Sequence, residues 1–453
     1  MKKLWDKGYQ IDPEIEHFTV GNDHYFDTKL ISYDCLGSIA HAAMLKKIGI
    51  LSDDEFAQIH SGLKTILCAD KKKTFSIAKK DEDVHTAIEH CLVKLIGNAG
   101  KKLHTARSRN DQIALDIRLY AKQELCALGQ STVNLCSTLS NMAELYQDVP
   151  IPGQTHMQKA MPSSLGLWAG AYMETLLDNL LILKNAYTLI DQCPLGSAAG
   201  YGTALSIDRQ YTADLLGFAK VQNNVLYASN SRGKFESTII HTLAQMMNDL
   251  SRLSCDLILY SLPEFGYLSL PKEYCTGSSL MPQKQNPDAL ELVRSKAATV
   301  IGFLGTTLEI TRGLPSGYNR DVQETKGPLM QALNITKASV KIINHIIAGI
   351  TVNKESCLKA CTSELFATDE ALILAQKGMP FRDAYKKIAG TLGSVKKQDP
   401  VKNILSKTHV GSTGNLNLAD AHTTCNTYQH WLDNEQHKWQ QTVNHLIEGI
   451  LHD

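Results

Sequence analysis

The residues with the clearest capacity for chemistry lie in one loop, residues 277–288, which reads G-S-S-L-M-P-Q-K-Q-N-P-D. Its final N-P-D is typical of a helix start, with Asn286 as the N-cap and the proline in the first helical position. A flexible loop followed by a helix does not account for Ser278, Ser279 and Lys284. Two hydroxyls, loop amides and an ammonium before a helix N-terminus can also bind an anion, or stabilise charge that develops in a transition state.

Three further polar stretches each have a functional and a structural interpretation. Residues 102–111 read K-L-H-T-A-R-S-R-N-D, which fits an anion site or a charged loop before a helix, and the acidic residues 81–83 could neutralise it. Residues 152–158 carry His156 in a proline-bracketed loop, where a histidine is more often structural than catalytic. Residues 317–326 read G-Y-N-R-D-V-Q-E-T-K, which fits a site or a hydrogen-bonded turn.

Long helices are predicted to position these loops. The 453 residues include only 13 prolines, and apolar positions spaced by three and four predict a helix over residues 235–260. Similar patterns predict helices over residues 111–148, 163–192 and 288–312. At 1.5 Å per residue, the first of these would be roughly 55 Å long, more than a compact domain needs. Strand alternation is scarce, so the sequence predicts an all-α fold with a helix bundle.

Composition excludes several functional classes. Lysine plus arginine and aspartate plus glutamate both number 46, and this zero net charge gives no field for general nucleic-acid binding. The sequence predicts neither secretion nor membrane insertion, because no apolar run follows Lys2 and Lys3 and no segment approaches eighteen uninterrupted apolar residues. The 11 cysteines lack a C-x-x-C pair, which indicates reduced thiols in a cytoplasm. Soft boundaries at 105 and 355 predict an N-terminal helical domain (1–105), a central long-helix bundle (106–355) and a small C-terminal helical domain (356–453).

Taken together, these stretches resemble the argininosuccinate lyases of the fumarase/aspartase superfamily. The G-S-S-x-M-P-x-K-x-N-P element marks the superfamily, whereas K-L-H-T-A-R-S-R-N-D is similar to a signature of argininosuccinate lyases themselves. Further similarity lies in residues 81–85, 261–266, 367–369 and 377–382. The resemblance therefore covers most of the chain.

The resemblance implies cleavage of argininosuccinate to arginine and fumarate, with no metal or organic cofactor. It implies a three-domain fold in which long helices of four chains form one core, and a homotetramer with each active site built from three chains. Ser278 would be the catalytic base, Lys284 would stabilise charge, His156 would protonate the leaving nitrogen and Glu291 would orient that histidine. The resemblance also implies a set of substrate-binding residues: Ser108, Arg109, Asn110, Thr155, Arg232, Asn286, Tyr318, Gln323 and Lys326.

Some positions depart from the family pattern. Trp5 is followed by D-K-G-Y where the family has G-G-R-F, so an arginine is missing, and Gly233 stands where an aspartate is usual. Asp23 occupies the place of a ligand-binding serine, and both Asp23 and His85 are additional candidate site residues. A carboxylate at position 23 would repel a substrate carboxylate. Three outcomes are open: a cation such as Lys7 offsets the charge, the N-terminal segment takes another path and Asp23 faces water, or the true substrate is positively charged there. The substitution Asp23→Ser is therefore expected to lower the Michaelis constant.

Two other functions fit the same residues. One is a lyase that eliminates fumarate from another N-substituted aspartate and has an altered amine pocket. The other is a non-catalytic structural protein on the same scaffold, as in certain lens crystallins. Retention of Ser278, Lys284, His156 and Glu291 together favours an enzyme, and the K-L-H-T-A-R-S-R-N-D element disfavours adenylosuccinate lyase, aspartase and fumarase.

Overall fold

A computed structural model describes residues 11–451, and helices dominate it. In chain order the α-helices are α1 Pro13–Val20, α2 Asp23–Phe26, α3 Ile31–Lys47, α4 Asp53–Lys71, α5 Val84–Ile96, α6 Asn98–Lys102, α7 Arg109–Leu145, α8 Leu165–Ile190, α9 Arg209–Leu215, α10 Val225–Asn230, α11 Lys234–Ser261, α12 Asp288–Thr311, α13 Lys326–Gly349, α14 Lys354–Ala360, α15 Ala367–Gln376, α16 Phe381–Ala389, α17 Pro400–Leu405 and α18 Leu418–Asn444. Strand β1 (Pro150–Thr155) pairs with β2 (Gln158–Ser164), and β3 (Leu268–Ser269) pairs with β4 (Thr351–Val352), both antiparallel. The predicted all-α fold is confirmed.

The centre of the molecule is a bundle of the long helices α7, α8, α11, α12 and α13. The helices predicted over residues 111–148, 163–192, 235–260 and 288–312 correspond to α7, α8, α11 and α12, so these predictions are confirmed. The apolar stripe that predicted α11 is buried along its whole length, because it faces the neighbouring bundle helices. Within the described part of the chain, no helix combines the length and apolarity needed to cross a membrane.

The first residues of α7 form a side-chain cap, whereas those of α12 do not form the cap that the sequence predicted. Helix α7 begins with a capping box, because Ser108 Oγ accepts from Asn110 N (3.3 Å) and Asp111 Oδ1 accepts from Ser108 N (2.9 Å). The prediction that Asn286 caps α12 is wrong. Helix α12 begins at Asp288 without a side-chain cap. The backbone of Asn286 instead exchanges hydrogen bonds of 2.9 and 3.0 Å with Thr276, which closes the base of the loop.

The last helix lies against the central bundle. Tyr187 of α8 donates to Glu435 Oε2 of α18 at 2.8 Å, and Leu432 of α18 packs over Gly129 of α7. The chain then reaches the N-terminal helices, where the His60 ring lies 2.9 Å from the carbonyl oxygen of Leu446. The domain boundaries at 105 and 355 stay a prediction, and the altered segment after Trp5 lies outside the described residues.

Candidate active site

A polar cleft of about 190 Å³ opens at the N-terminal end of α7. It collects candidate residues from five separate parts of the sequence, namely Asp23, His85, Arg109, Asn110, Arg232, Tyr318, Gln323 and Lys326. The remaining polar lining residues are Asp27, Glu82, Asp83 and Arg320. Acidic and basic side chains thus occur together, which suits a ligand that carries charges of both signs.

Lys326 is the most deeply buried cation of this cleft. Its Nζ lies 2.9 Å from Asp23 Oδ1 and also donates to Asp27 Oδ1. Asp27 is held in turn by Val84 N, which donates to Asp27 Oδ2 at 3.1 Å. Burial lowers the pKa of Lys326, but the two carboxylates outweigh burial and raise it. Asp23 therefore does lie in the cleft, and among the described residues its neighbouring cation is Lys326; Lys7 lies outside the described residues.

Arg109 is held by the acidic run that precedes α5. Its Nη1 lies 3.2 Å from Glu82 Oε2 and 3.0 Å from Asp83 Oδ2, and its Nη2 donates to Thr86 Oγ1 at 3.0 Å. Burial raises the pKa of Asp83, but His85 and Arg109 outweigh it and leave the pKa lowered. The expectation that residues 81–83 neutralise the basic stretch is confirmed for Arg109.

His85 joins the cleft to a buried ionic cluster. Its Nδ1 lies 2.5 Å from Asp34 Oδ2 and 3.7 Å from Asp116 Oδ2. Burial lowers the pKa of His85, but Asp34, Asp83 and Asp27 together outweigh burial and leave the pKa raised. Asp34, His85 and Asp116 each place an atom that could bind a metal ion within 4.8 Å of the other two. No other group of three or more histidine, cysteine, aspartate or glutamate side chains does so within residues 11–451. The guanidinium of Arg107 lies buried beside the same carboxylates and offsets their charge.

The opposite wall of the cleft comes from the start of α11 and the segment before α13. Arg232 Nε donates to Glu236 Oε1 at 3.1 Å, and Gly233 N donates to Glu236 Oε2 at 2.6 Å. Gly233 has a φ of +80°, and a Cβ atom there would lie 2.1 Å from Thr311 Cγ2. The glycine in place of the family aspartate is therefore explained by the close approach of α12. In the segment before α13, the side chain of Gln323 donates to the carbonyl oxygen of Thr19 at 3.2 Å.

The loop before α12 lies away from this cleft. Ser278 Oγ accepts hydrogen bonds from the backbone amides of Leu280 (3.3 Å) and Met281 (3.1 Å). Amide donors favour the charged form of a hydroxyl, so they stabilise an alkoxide. Lys284 is exposed, and Glu291 lies 3.9 Å from Arg294 Nη2 on the surface of α12.

His156 lies at the tip of the β1–β2 hairpin. His156 and Met157 form its two-residue turn, with φ values of 55° and 58°. Both residues are in the left-handed region, as a type I′ turn requires, although neither is glycine. Such strain costs about 1–3 kcal/mol per residue and is commonly found at functional sites. The turn leaves the His156 ring exposed rather than packed, which disfavours a role in the core.

The three groups of candidate residues lie far apart within one chain. The cleft lies at the start of α7 and the hairpin follows its end, and 37 residues make this helix about 55 Å long. Thr311, at the end of α12, lies against Gly233 beside the cleft. The Ser278 loop precedes the start of this 24-residue helix, which is about 36 Å long. No hydrogen bond or ion pair among the described residues joins His156 to Glu291. The predicted histidine–carboxylate pair is not made within the chain.

Three other candidates lie outside the cleft. Ser108 caps α7, Thr155 ends strand β1, and the side-chain amide of Asn286 donates to Gly277 O at 3.3 Å. Conversely, Asp27 and Arg320 line the cleft but were not predicted. Asp27 follows Asp23 by four residues, a spacing that indicates one helical face. This spacing could have predicted that Asp27 lies beside Asp23 in the cleft.

Comparisons with known proteins identify the family of this chain. A family model described as "Lyase" matches residues 10–302. The argininosuccinate lyase of Thermotoga neapolitana is 44% identical over 395 residues, which cover 87% of this chain and 99% of that protein. The argininosuccinate lyase of Parabacteroides distasonis is 40% identical over 415 residues, 92% of this chain and 93% of that protein.

A solved structure shows that the fold is shared as well. The crystal structure of EDDS lyase in complex with formate superposes with a TM-score of 0.82 at 23% identity, covering 98% of this chain and 96% of that one. The two sequence relatives are matched over nearly their whole length, so the similarity is not confined to one segment. The chain belongs to the argininosuccinate lyase family of the fumarase/aspartase superfamily.

Proposed function

We propose that the chain cleaves argininosuccinate to arginine and fumarate. The observation that carries this proposal is the 44% identity across 99% of the Thermotoga neapolitana argininosuccinate lyase. The cleft supports it, because argininosuccinate carries carboxylates, an ammonium and a guanidinium, and the cleft offers side chains of both charges. The enzyme would act as a carbon–nitrogen lyase in the cytoplasm.

The proposed reaction begins with proton removal from the succinyl carbon beside a carboxylate. Ser278 as an alkoxide takes this proton, and the electron pair moves onto the carboxylate as a doubly charged aci-carboxylate. The Lys284 ammonium and the loop amides stabilise that charge. The carbon–nitrogen bond then breaks, and the leaving guanidino nitrogen takes its electron pair and a proton from His156. Fumarate and arginine result, with all atoms and protons accounted for.

We further propose that the site is assembled from three chains of a homotetramer. Within one chain the cleft, the hairpin and the Ser278 loop are separated by helices about 36–55 Å long. The outward face of α12 carries the small exposed residues Ser295, Ala298, Gly302 and Gly305. A Cβ atom at either glycine would have no atom within 4 Å in this chain. Small residues let helix backbones approach closely, which fits packing against the same helix of another copy.

The direct test follows fumarate absorbance while argininosuccinate, adenylosuccinate, aspartate and malate are offered separately. Rapid fumarate formation from argininosuccinate alone is the expected result, and the Ser278→Ala variant prepared in parallel excludes a contaminating lyase. Fumarate from another of these substrates would instead support a related lyase with a different amine pocket. If none of the four yields fumarate, the enzymatic proposal fails.

A further inference from the structure

Two cysteines lie where the last long helix packs on the central bundle. Cys136, in the last third of α7, is fully buried, and Cys425, in the first third of α18, is half-buried. The sequence contains no C-x-x-C pair, and these two thiols lie far apart in the chain. Only the packing of α18 on α7 brings them together.

The side-chain contacts between α7 and α18 set the direction of the two helices. Ser140 Oγ lies 2.8 Å from His422 Nε2. Nearer the start of α7, a Cβ atom on Gly129 would lie 2.7 Å from Leu432 Cδ2, so the helices approach closely there. Because the earlier residue of α7 meets the later residue of α18, the two helices are antiparallel.

The spacing along each helix places the two thiols opposite each other. Cys136 lies four residues before Ser140, and Cys425 lies three residues after His422, so both lie one turn from that contact on the facing sides. Helices packed about 8–10 Å apart bring facing Cα atoms to about 3.5–5.5 Å. A disulfide needs about 4.4–6.8 Å between Cα atoms, so this contact suits one.

The two thiols differ in their readiness to react. A hydrogen bond from Cys136 outweighs burial and lowers the pKa of Cys425. Ser137 and the His422 imidazole act in the same direction. The contact with Cys425 and burial both raise the pKa of Cys136, whose Sγ also lies 4.0 Å from the carbonyl oxygen of Met173. Since the thiolate is the reactive form, the half-buried Cys425 is the thiol that reacts first with an oxidant.

These thiols lack the further ligands of a metal centre. Structural zinc is held by four side chains. No set of three metal-binding side chains within residues 11–451 includes either thiol, and His422 Nε2 lies 3.0 Å from Glu144 Oε1 instead. The pair therefore fits sulfur–sulfur chemistry.

We propose that Cys136 and Cys425 form a reversible disulfide when the protein meets a hydroperoxide such as hydrogen peroxide. The Cys425 thiolate attacks one peroxide oxygen, the oxygen–oxygen bond breaks, and the departing hydroxide takes up the proton that the thiol had released. Cys425 is then a sulfenic acid. The Cys136 sulfur attacks the sulfenic sulfur, and the hydroxyl group leaves with the Cys136 proton as a second water. Both sulfur atoms are oxidised and the peroxide is reduced.

The disulfide fastens α18 to the central bundle. It closes a loop of about 290 residues, and a cross-link stabilises a protein mainly by restricting its unfolded chain, more so for long loops. Cys136 lies about 40 Å along α7 from the cleft at the start of that helix. Oxidation should therefore stabilise the protein without reshaping the cleft, and the inference does not depend on the proposed cleavage reaction.

The test treats the reduced full-length protein with a small excess of hydrogen peroxide and then blocks the remaining thiols. Mass spectrometry should show the loss of two hydrogen atoms per chain, and a non-reducing peptide map should link Cys136 to Cys425. The midpoint of thermal unfolding should rise by several degrees, and dithiothreitol should reverse both changes.

Three variants separate the roles of the thiols. Cys425→Ser should lose the link and the rise in midpoint. In Cys136→Ser the sulfenic acid on Cys425 has no partner, so dimedone should trap it. Cys68→Ser removes an exposed cysteine of α4 and should keep the wild-type response. Thermal melting of the reduced variants checks that they are folded.

Two results would overturn the inference. One is a peptide map of the peroxide-treated wild-type protein in which Cys136 and Cys425 are not linked, including a map in which Cys425 has only gained oxygen. The other is a Cys425→Ser protein that still loses two hydrogen atoms and gains stability. The wild-type map alone decides the matter if the buried Cys136→Ser substitution prevents folding.

Discussion

At the residue scale, reactivity depends on what surrounds each functional atom. Ser278 carries an ordinary hydroxyl, and a serine hydroxyl is a poor base unless its deprotonated form is stabilised. Two backbone amides at 3.1 and 3.3 Å supply part of that stabilisation within the chain. The neighbouring Ser279 accepts no such bond among the described residues, so the two adjacent hydroxyls differ in environment.

This difference predicts the effect of alanine substitutions in the loop. Ser278→Ala should reduce fumarate formation by at least 10²- to 10⁴-fold, the usual loss when a general base is removed. Argininosuccinate binding and thermal stability should remain nearly unchanged, because the hydroxyl lies in a surface loop and not in the core. Steady-state assays and calorimetry measure both.

Ser279→Ala is the matched control, since it removes a hydroxyl from the same loop. Its loss of turnover should be clearly smaller than that of Ser278→Ala. Similar losses would mean that the loop conformation, and not the Ser278 oxygen, limits the reaction.

The sequence indicated which residues lie at the site, but it did not indicate all of the residues with which they pair. The basic stretch before α7 and the acidic residues 81–83 were both visible, and Arg109 indeed pairs with two of them. The position of Asp23 in the cleft was also anticipated. Its pairing with Lys326, about 300 positions away in the chain, was not, because the folded bundle and not local spacing brings the two side chains together.

At the element scale, helix ends decide where the site residues lie. The sequence patterns predicted the four long helices α7, α8, α11 and α12 to within a few residues, since burial of one face leaves a period that is readable in the sequence. The long helices α13 and α18 were not predicted. The cap of α12 was predicted wrongly, because Asn286 makes backbone bonds with Thr276 across the loop, and a local capping pattern carries no information on that contact. The strained turn at His156 was likewise invisible, since neither turn residue is a glycine.

The start of α11 provides a stability prediction for this scale. Gly233→Ala should lower the free energy of unfolding by about 2–5 kcal/mol, because the new Cβ combines a left-handed φ with an overlap against Thr311. Gly313→Ala serves as control, since Gly313 has a φ of +79° but no atom within 4 Å of its Cβ position. That variant should lose only about 1–2 kcal/mol. Urea unfolding compares them, and equal losses would refute the steric contribution of α12.

At the scale of the whole molecule, the three groups of candidate residues lie far apart in one chain, so the proposed reaction predicts a site that is shared between several copies. The outer face of α12 is the surface we expect these copies to share. Gly302→Leu should therefore break the tetramer into smaller species in light scattering, because a bulky side chain blocks close approach of two helices. The isolated chain has open space at this position, so secondary structure should persist.

A second glycine provides the control for this surface. Gly393 also has open space around its Cβ position and lies in the C-terminal region, away from α12. Gly393→Leu should leave the tetramer intact. A Gly302→Leu protein that remains a tetramer with full activity would place the interface elsewhere.

Shared sites make a stricter prediction for mixed assemblies. Ser278→Ala and His156→Asn should each be nearly inactive alone, since each lesion removes one partner of the proton transfers. If one chain supplies Ser278 and another supplies His156 to every site, random mixed tetramers contain about one quarter of sites with neither lesion. Co-expression of the two variants with different tags, followed by purification on both tags, should therefore recover a substantial fraction of wild-type turnover. If both residues of a site came from the same chain, every site would keep one lesion and mixing would restore nothing.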